Sequence, residues 1–301
     1  MALRNMRIWR YIDAVSRAGS VRQAAERLYV TPSALLRRIQ DVEQDLGTPI
    51  FERDTKGVKL TAAGEIFVRW IRSQDADLKR VYSQIEELSG LRSGEVTLAC
   101  SQAVQSFIVE HIKRFRELHP LVRFKIIAAD HTAALKVLID YEVDLILSFK
   151  PPHAIELQPL MTLAQRLVVI MAYDHPLAAK PILRLRDVLD YEIALPGPSF
   201  AGREIVDQIL AKSARRMNVS VEANSFALLA EIVRDTALLT LQIEIGALHL
   251  KNNPAFAIRQ IDDVDLARGS LVLGQLKGRT LPVASAKFAE QLVSSLDALR
   301  A

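Results

Sequence analysis

The sequence predicts a chain made of two unlike parts. The first is an N-terminal all-α helix-turn-helix with a wing and a long helix behind it; the second is a C-terminal α/β body in two lobes. Three observations carry this prediction. Apolar residues recur at helical spacing through most of the first 88 residues, strand-like runs alternate with helical ones from residue 95 onward, and the whole net positive charge lies in the first fifth of the chain. A length of 301 residues suits about two domains. Half the residues are hydrophobic and a quarter are charged, so cores can be buried and composition does not imply disorder.

Several classes are excluded early. Apolar runs such as Leu167–Tyr173 fall far short of the ~18 residues a membrane span needs. The opening MALRNMRIWRYIDAV carries Asp13 and lacks a long apolar region and a small-residue cleavage site, so it does not read as a signal peptide, and a cytoplasmic protein is expected. Cys100 is the single cysteine, which leaves no intramolecular disulfide and no multi-cysteine zinc site. The six histidines have no metal-ligand spacing, and no G-x-G-x-x-G or Walker loop occurs, so no metal and no cofactor is expected.

Charge separates the parts. Residues 1–60 hold eleven Lys/Arg against seven Asp/Glu, residues 61–92 hold five of each, and residues 93–301 hold 23 of each. A basic end on a neutral body suits a small polyanion-binding module. It equally suits a solvated basic surface.

In the first sixty residues, Leu3, Met6, Trp9, Ile12 and Val15 place one face on a helix over 3–17, and Gly19 ends it. Ser20 and Gln23 have the spacing of a capping box for a helix over 21–28. Thr31 fits an N-cap and Pro32 the first helical position of a third helix that runs to about Leu46, where Gly47 stops it. Its inner stripe is Leu35, Ile39, Val42 and Leu46. Its outer face then presents Ser33, Leu36, Arg37 and Gln40. This is the geometry of a recognition helix that enters a major groove. Arg37 suits guanine or phosphate, and Gln40 suits adenine. Two short strands follow, Pro49–Arg53 and Val58–Leu60, around the turn Asp54–Gly57. They form a wing with Arg53 and Lys56 available for backbone contact.

From Thr61 a long helix is predicted to about Leu88. Phe67, Ile71, Gln74, Leu78, Val81, Ile85 and Leu88 are spaced 4-3-4-3-4-3, an a/d seam that would pair two chains. An amphipathic helix packed on its own chain would show the same spacing. The Gly/Ser-rich stretch Ser89–Gly94 marks a boundary. The expected domains are therefore 1–60, 61–92 and 93–301.

In the body, strands are expected at Val96–Ala99, Val122–Ala128, Val143–Leu147, Val168–Met171, Ile193–Leu195, Val219–Val221 and Leu238–Leu241. Helices are expected over 102–118, 132–141, 201–216, 225–234 and 243–250. The alternation argues for parallel-rich sheets. The first lobe would take about 93–163 and 268–301, the second about 164–267. Ligands of such sheets sit at strand carboxyl ends near helix N-termini. Ser101-Gln102 and Pro196-Gly-Pro-Ser199-Phe200 meet that rule, each with donors for a carboxylate or similar anion. Gly197–Ala201 lacks the final glycine of a nucleophile elbow, so an enzyme is not expected. Cys100, beside the cleft, reads either as a redox sensor or as a buried strand cysteine.

The segment Ser20–Gly64, with AAERL, an Ala-Leu recognition helix, DLG, IFER and LTAAG in order, closely resembles the N-terminal winged helix-turn-helix of LysR-type transcriptional regulators. Leu36 departs from the serine usual in that family. The resemblance implies a linker helix that pairs chains into a homodimer and assembly to a homotetramer. It also implies binding to double-stranded promoter DNA, with RNA polymerase as a further partner. The C-terminal part would be a two-lobed effector domain like the periplasmic binding proteins, with a small-molecule effector, such as an organic anion, in its cleft. The matching cleft positions are Ser101, Gln102, Thr132 and Ser199. The second lobe lacks the family's glycine and proline around Arg234–Gln242. Thr240 and Gln242 are expected to reach the cleft instead. The alternative reading is an α/β ligand-binding or catalytic protein whose basic N-terminus mediates assembly only.

Overall fold

The structure, a computed structural model, describes residues 2–54, 57–88, 93–149, 151, 154–198, 200, 203, 206–207, 217–261 and 269–300. The chain divides into two compact units, Met1–Tyr82 and Ser83–Ala301.

The first unit opens with α1 (Ala2–Ala18), α2 (Val21–Arg27) and α3 (Pro32–Leu46). Their ends are set locally. The Ser20 hydroxyl accepts the Gln23 amide at 3.4 Å, the Thr31 hydroxyl accepts the Ala34 amide at 3.3 Å, and Gly47 closes α3 at φ 70°. Ile12, Val15, Ala24, Ala25, Leu35 and Ile39 form the core; Val42 packs at its margin, but Leu46 is exposed. The wing is the antiparallel pair β1 (Phe51–Asp54) and β2 (Gly57–Leu60). Glu43 of α3 anchors its base, one carboxylate oxygen accepting the Ile50 and Phe51 amides at 2.7 and 3.1 Å. Thr55 and Lys56 lie outside the described residues.

The long helix α4 spans Ala62–Glu87. Thr61 caps it, accepting the Gly64 amide at 2.9 Å while its hydroxyl donates to the Pro49 carbonyl at 2.7 Å. Gly64 is required here because a Cβ would collide with the Ile50 carbonyl oxygen. Gly64→Ala is expected to destabilise the head by about 1–3 kcal/mol through overpacking. A thermal melt of the full chain reads this, and an unchanged midpoint would contradict the close approach. Arg72 of α4 pairs with Asp13 of α1 at 2.6 Å, and Trp70 meets Trp9 edge to face at 4.9 Å between ring centres.

The second unit holds two sheets. The first has the order β4-β3-β5-β13-β6, built from β3 (Gly94–Cys100), β4 (Val122–Ala128), β5 (Leu145–Phe149), β6 (Leu157–Gln165) and β13 (Gly269–Leu276). Helices α5 (Gln105–Leu118), α6 (His131–Ile139) and α10 (Val283–Asp297) belong to the same lobe. The second sheet has the order β10-β9-β11-β7-β12-β8, built from β7 (Leu167–Ala172), β8 (Ile182–Leu183), β9 (Glu192–Pro196), β10 (Asn218–Ala223), β11 (Leu239–Ile243) and β12 (Phe256–Ile261). Its helices are α7 (Leu185–Val188), α8 (Phe226–Arg234) and α9 (Glu244–Ala247). Strands β3, β4 and β5 run parallel, as do β9, β10 and β11, while β13 and β7 run against their neighbours. Within 102–118, Gln102–Val104 is a 3-10 turn and the α-helix starts only at Gln105. Residues 243–250 likewise divide into α9 and a 3-10 turn. Most of the helix expected over 201–216, and most of the boundary stretch Ser89–Gly94, lie outside the described residues. No helix among the described residues is long and apolar enough to cross a membrane.

Candidate nucleic-acid interface and ligand cleft

The helix-turn-helix brings six of the named residues to one surface. Thr31, Pro32, Ser33, Leu36, Arg37 and Gln40 are all exposed, while Leu35 and Ile39 between them are buried. The Thr31 hydroxyl also serves as the helix cap and takes a contact from Ser33 at 3.4 Å. Among the described residues, neither Arg37 nor the wing's Arg53 is held in an ion pair. Arg17, Arg22 and Lys59 are held by Asp13, Glu26 and Glu52. The charges of Arg37 and Arg53 are therefore open to meet phosphates.

The seam residues on α4 divide into two groups. Ile71 is buried in the head's own core and Phe67 packs beside it, stacked on Trp70 at 5.6 Å. Gln74 and Leu78 are half-buried, and Val81, Ile85 and Leu88 are exposed. The 4-3 spacing thus serves the chain's own core at one end and leaves an apolar stripe at the other. Three exposed large hydrophobic residues on α4, Ile66, Trp70 and Tyr82, fall outside the seam spacing and are not legible from it.

In the second unit a small cavity of about 150 Å³ lies where β3, β4 and β5 of the first sheet face Phe200. It brings together Ser101, Gln102, Asp130, His131, Phe149 and Phe200. Ser101 and Gln102 are where the strand-end rule places them. Asp130 and His131 follow the same rule at the end of β4, although sequence spacing does not single them out. Asp130 is the N-cap of α6, one carboxylate oxygen accepting the Thr132 and Ala133 amides at 2.9 and 2.8 Å. The N-terminus of α6 is thus occupied by the chain's own carboxylate, whereas the 3-10 turn that follows Ser101 carries no side-chain cap. Thr132 is exposed and does not line the cavity. Gln242 is buried, with its amide packed so closely against α9 that a Cβ on Gly246 would collide with it; it does not line the cavity either. Ser199 lies outside the described residues. The hydroxyls of Ser101 and Thr240 are buried without a hydrogen-bond partner among the described residues. Such orphans carry a cost unless something else satisfies them. A larger groove of about 990 Å³ borders β12, but its Arg259 is satisfied by the carbonyls of Lys180, Ala178 and Ile258.

Cys100 is fully buried, and burial pushes its thiol pKa from 9.0 up to about 12. The neutral thiol is therefore the form the fold favours, and that advantage fades as pH rises from about 9 through 12. A redox sensor needs an accessible thiolate, so the buried-strand reading holds. Folded protein at pH 7.5 is expected to resist a thiol reagent such as DTNB and to react on unfolding; prompt reaction without denaturant would overturn this. Among the described residues, no cluster of His, Cys, Asp and Glu could hold a metal ion.

The comparisons with known proteins agree with this anatomy. The bacterial regulatory helix-turn-helix protein, lysR family, matches residues 6–65, and the LysR substrate binding domain matches residues 89–297. A probable nitrogen assimilation transcriptional activator of Synechocystis sp. is 29% identical over 258 residues, covering 82% of this chain and 81% of that protein. The fold is similar to a full-length OxyR variant from Pseudomonas aeruginosa, with TM-score 0.67 and 19% identity over 98% of this chain and 94% of that one. It is also similar to full-length CbnR complexed with its target DNA, with TM-score 0.61 and 18% identity over 97% and 99%.

Proposed function

Because the chain belongs to the LysR family of transcriptional regulators, we propose that it reads promoter DNA with α3 and is controlled by a small molecule held between its two lobes. Family membership also removes the alternative of an α/β ligand-binding or catalytic protein whose basic N-terminus mediates assembly only. The observation that supports the DNA reading best is Arg37, exposed and unpaired among the described residues, beside Gln40 on a recognition helix whose inner face is buried. In this reading Thr31, Pro32, Ser33 and Leu36 touch the major groove, with Leu36 against a thymine methyl. Arg53 and Lys56 of the wing hold the backbone. The protein acts in the cytoplasm, beside RNA polymerase at its promoter.

A two-fold dimer matches two half-sites. The stripe Val81, Ile85 and Leu88, continued by Leu78 and Gln74, is the surface through which α4 pairs with a second copy, and two such dimers form the tetramer. Ile85→Ala is expected to weaken self-association about 10- to 100-fold, since burying one such side chain contributes about 1.5–3 kcal/mol. Sedimentation across a dilution series measures it, and unchanged dissociation would count against the seam. The effector regulates only if it binds one assembly state better than the other.

The reading is tested by fluorescence anisotropy on DNA from upstream of the protein's own gene, with scrambled DNA as control and a salt series. Specific binding is expected to exceed non-specific by ~10³ or more. If selection over genomic fragments also returns no preferred DNA, the reading fails.

A further inference from the structure

The cavity beside Ser101 has a chemistry at odds with an organic anion. Of its six named walls, the fully charged side chain is Asp130, and among the described residues no Lys or Arg pairs with it. That carboxylate already takes the Thr132 and Ala133 amides, so those two donors are closed to a ligand carboxylate and a like charge stands beside the cavity. Arg203, a nearby cation on the second lobe, is tied to Asp207 at 2.9 Å and to Glu222 at 3.1 Å. Its guanidinium also donates to the Pro196 carbonyl at 2.7 Å. Phe149 and Phe200 supply aromatic walls. Ser101 lines the same cavity, is 5% exposed, and its hydroxyl has no partner among the described residues.

A carboxylate, two aromatic rings and an unsatisfied hydroxyl around about 150 Å³ suit an ammonium group carried by a small polar body. The carboxylate takes the charge-assisted contact, ring quadrupoles favour a cation, and the hydroxyl meets a polar atom on the other end. We infer that this cleft takes a small organic cation, a primary or quaternary amine, rather than an organic acid. This rests on the reading of the cleft as the effector site.

The test is calorimetric titration of the full-length protein with ethanolamine and choline, against glycolate and succinate, in wild type, Asp130→Asn and Phe200→Leu. Asparagine keeps the α6 cap while removing the charge, so the thermal midpoint should hold. The expected result is that an amine binds and the acids do not. Asp130→Asn should then weaken the amine about 10- to 100-fold and Phe200→Leu about 3- to 30-fold. Binding of an acid that Asp130→Asn strengthens would overturn the inference, and so would the absence of amine binding. Operator affinity, measured in parallel by anisotropy, separates the two readings. Operator binding without amine binding sinks the cation inference alone. Amine binding that leaves operator affinity unchanged supports the cation and counts against its role as effector.

Discussion

Arg279→Ala is expected to destabilise the second unit by about 3–5 kcal/mol, because it strands a buried carboxylate. The Arg279 guanidinium meets an Asp144 carboxylate oxygen at 2.6 Å, and both side chains are 8% exposed. The other oxygen of Asp144 accepts the Ser285 hydroxyl at 2.8 Å, and the Asp144 amide donates to the Thr97 hydroxyl at 2.9 Å. A second guanidinium nitrogen donates to the Val143 carbonyl at 3.3 Å, and the group lies 5.5 Å from the Tyr141 ring centre. One node thus joins β3, the start of β5, the exit from β13 and the first turn of α10. For a unit of this size the loss corresponds to roughly 6–20 °C in melting temperature. The double variant Asp144→Leu with Arg279→Met removes both charges together and is expected to melt above either single change. Additive losses in the double variant, or a shift below about 2 °C in Arg279→Ala, would show that the pair does not hold the lobe together.

That node also shows where sequence reading stops. Asp144 and Arg279 are separated by 135 positions, and no local spacing links them. The ends of α2 and α3 are legible because Ser20, Thr31, Pro32 and Gly47 act within four residues of themselves. Strand β6 is not legible: Pro159 interrupts its pattern, and it pairs with Gly274 where the register with β13 is irregular. Proline is tolerated at such places in a sheet. Strands β12 and β13 also escape, since only pairing with β7, β5 and β6 turns those short runs into sheet. The seam on α4 fails differently. A 3.5-residue period reports an apolar stripe but not whose surface covers it, and Ile71 is covered by its own chain. At the cleft, Ser101 is visible as a serine after a strand. The polarity of the site is not, because Asp130 reads as an ordinary cap until the cavity beside it is seen.

Arg37→Ala is expected to remove sequence-specific DNA binding while leaving the fold intact. The side chain is exposed and makes no ion pair within the described head, so the melting temperature should stay within the small range of surface substitutions. A bidentate arginine–guanine contact contributes about 1–3 kcal/mol of discrimination. A two-fold dimer presents the residue twice, so the specific complex should weaken by about 2–6 kcal/mol, roughly 30-fold to 10⁴-fold. Affinity for scrambled DNA should fall far less. The salt series then decides what Arg37 touches. If it reads a base, the slope of log affinity against log salt changes little as specificity collapses. If it holds phosphate, each lost contact reduces the slope by about 0.9 and weakens both DNAs alike. Arg22→Ala is the matched control, since Arg22 is paired with Glu26 on α2 at 3.3 Å. Wild-type operator affinity in Arg37→Ala would place the reading surface elsewhere on the head, and equal losses in both variants would reduce the interface to its net charge.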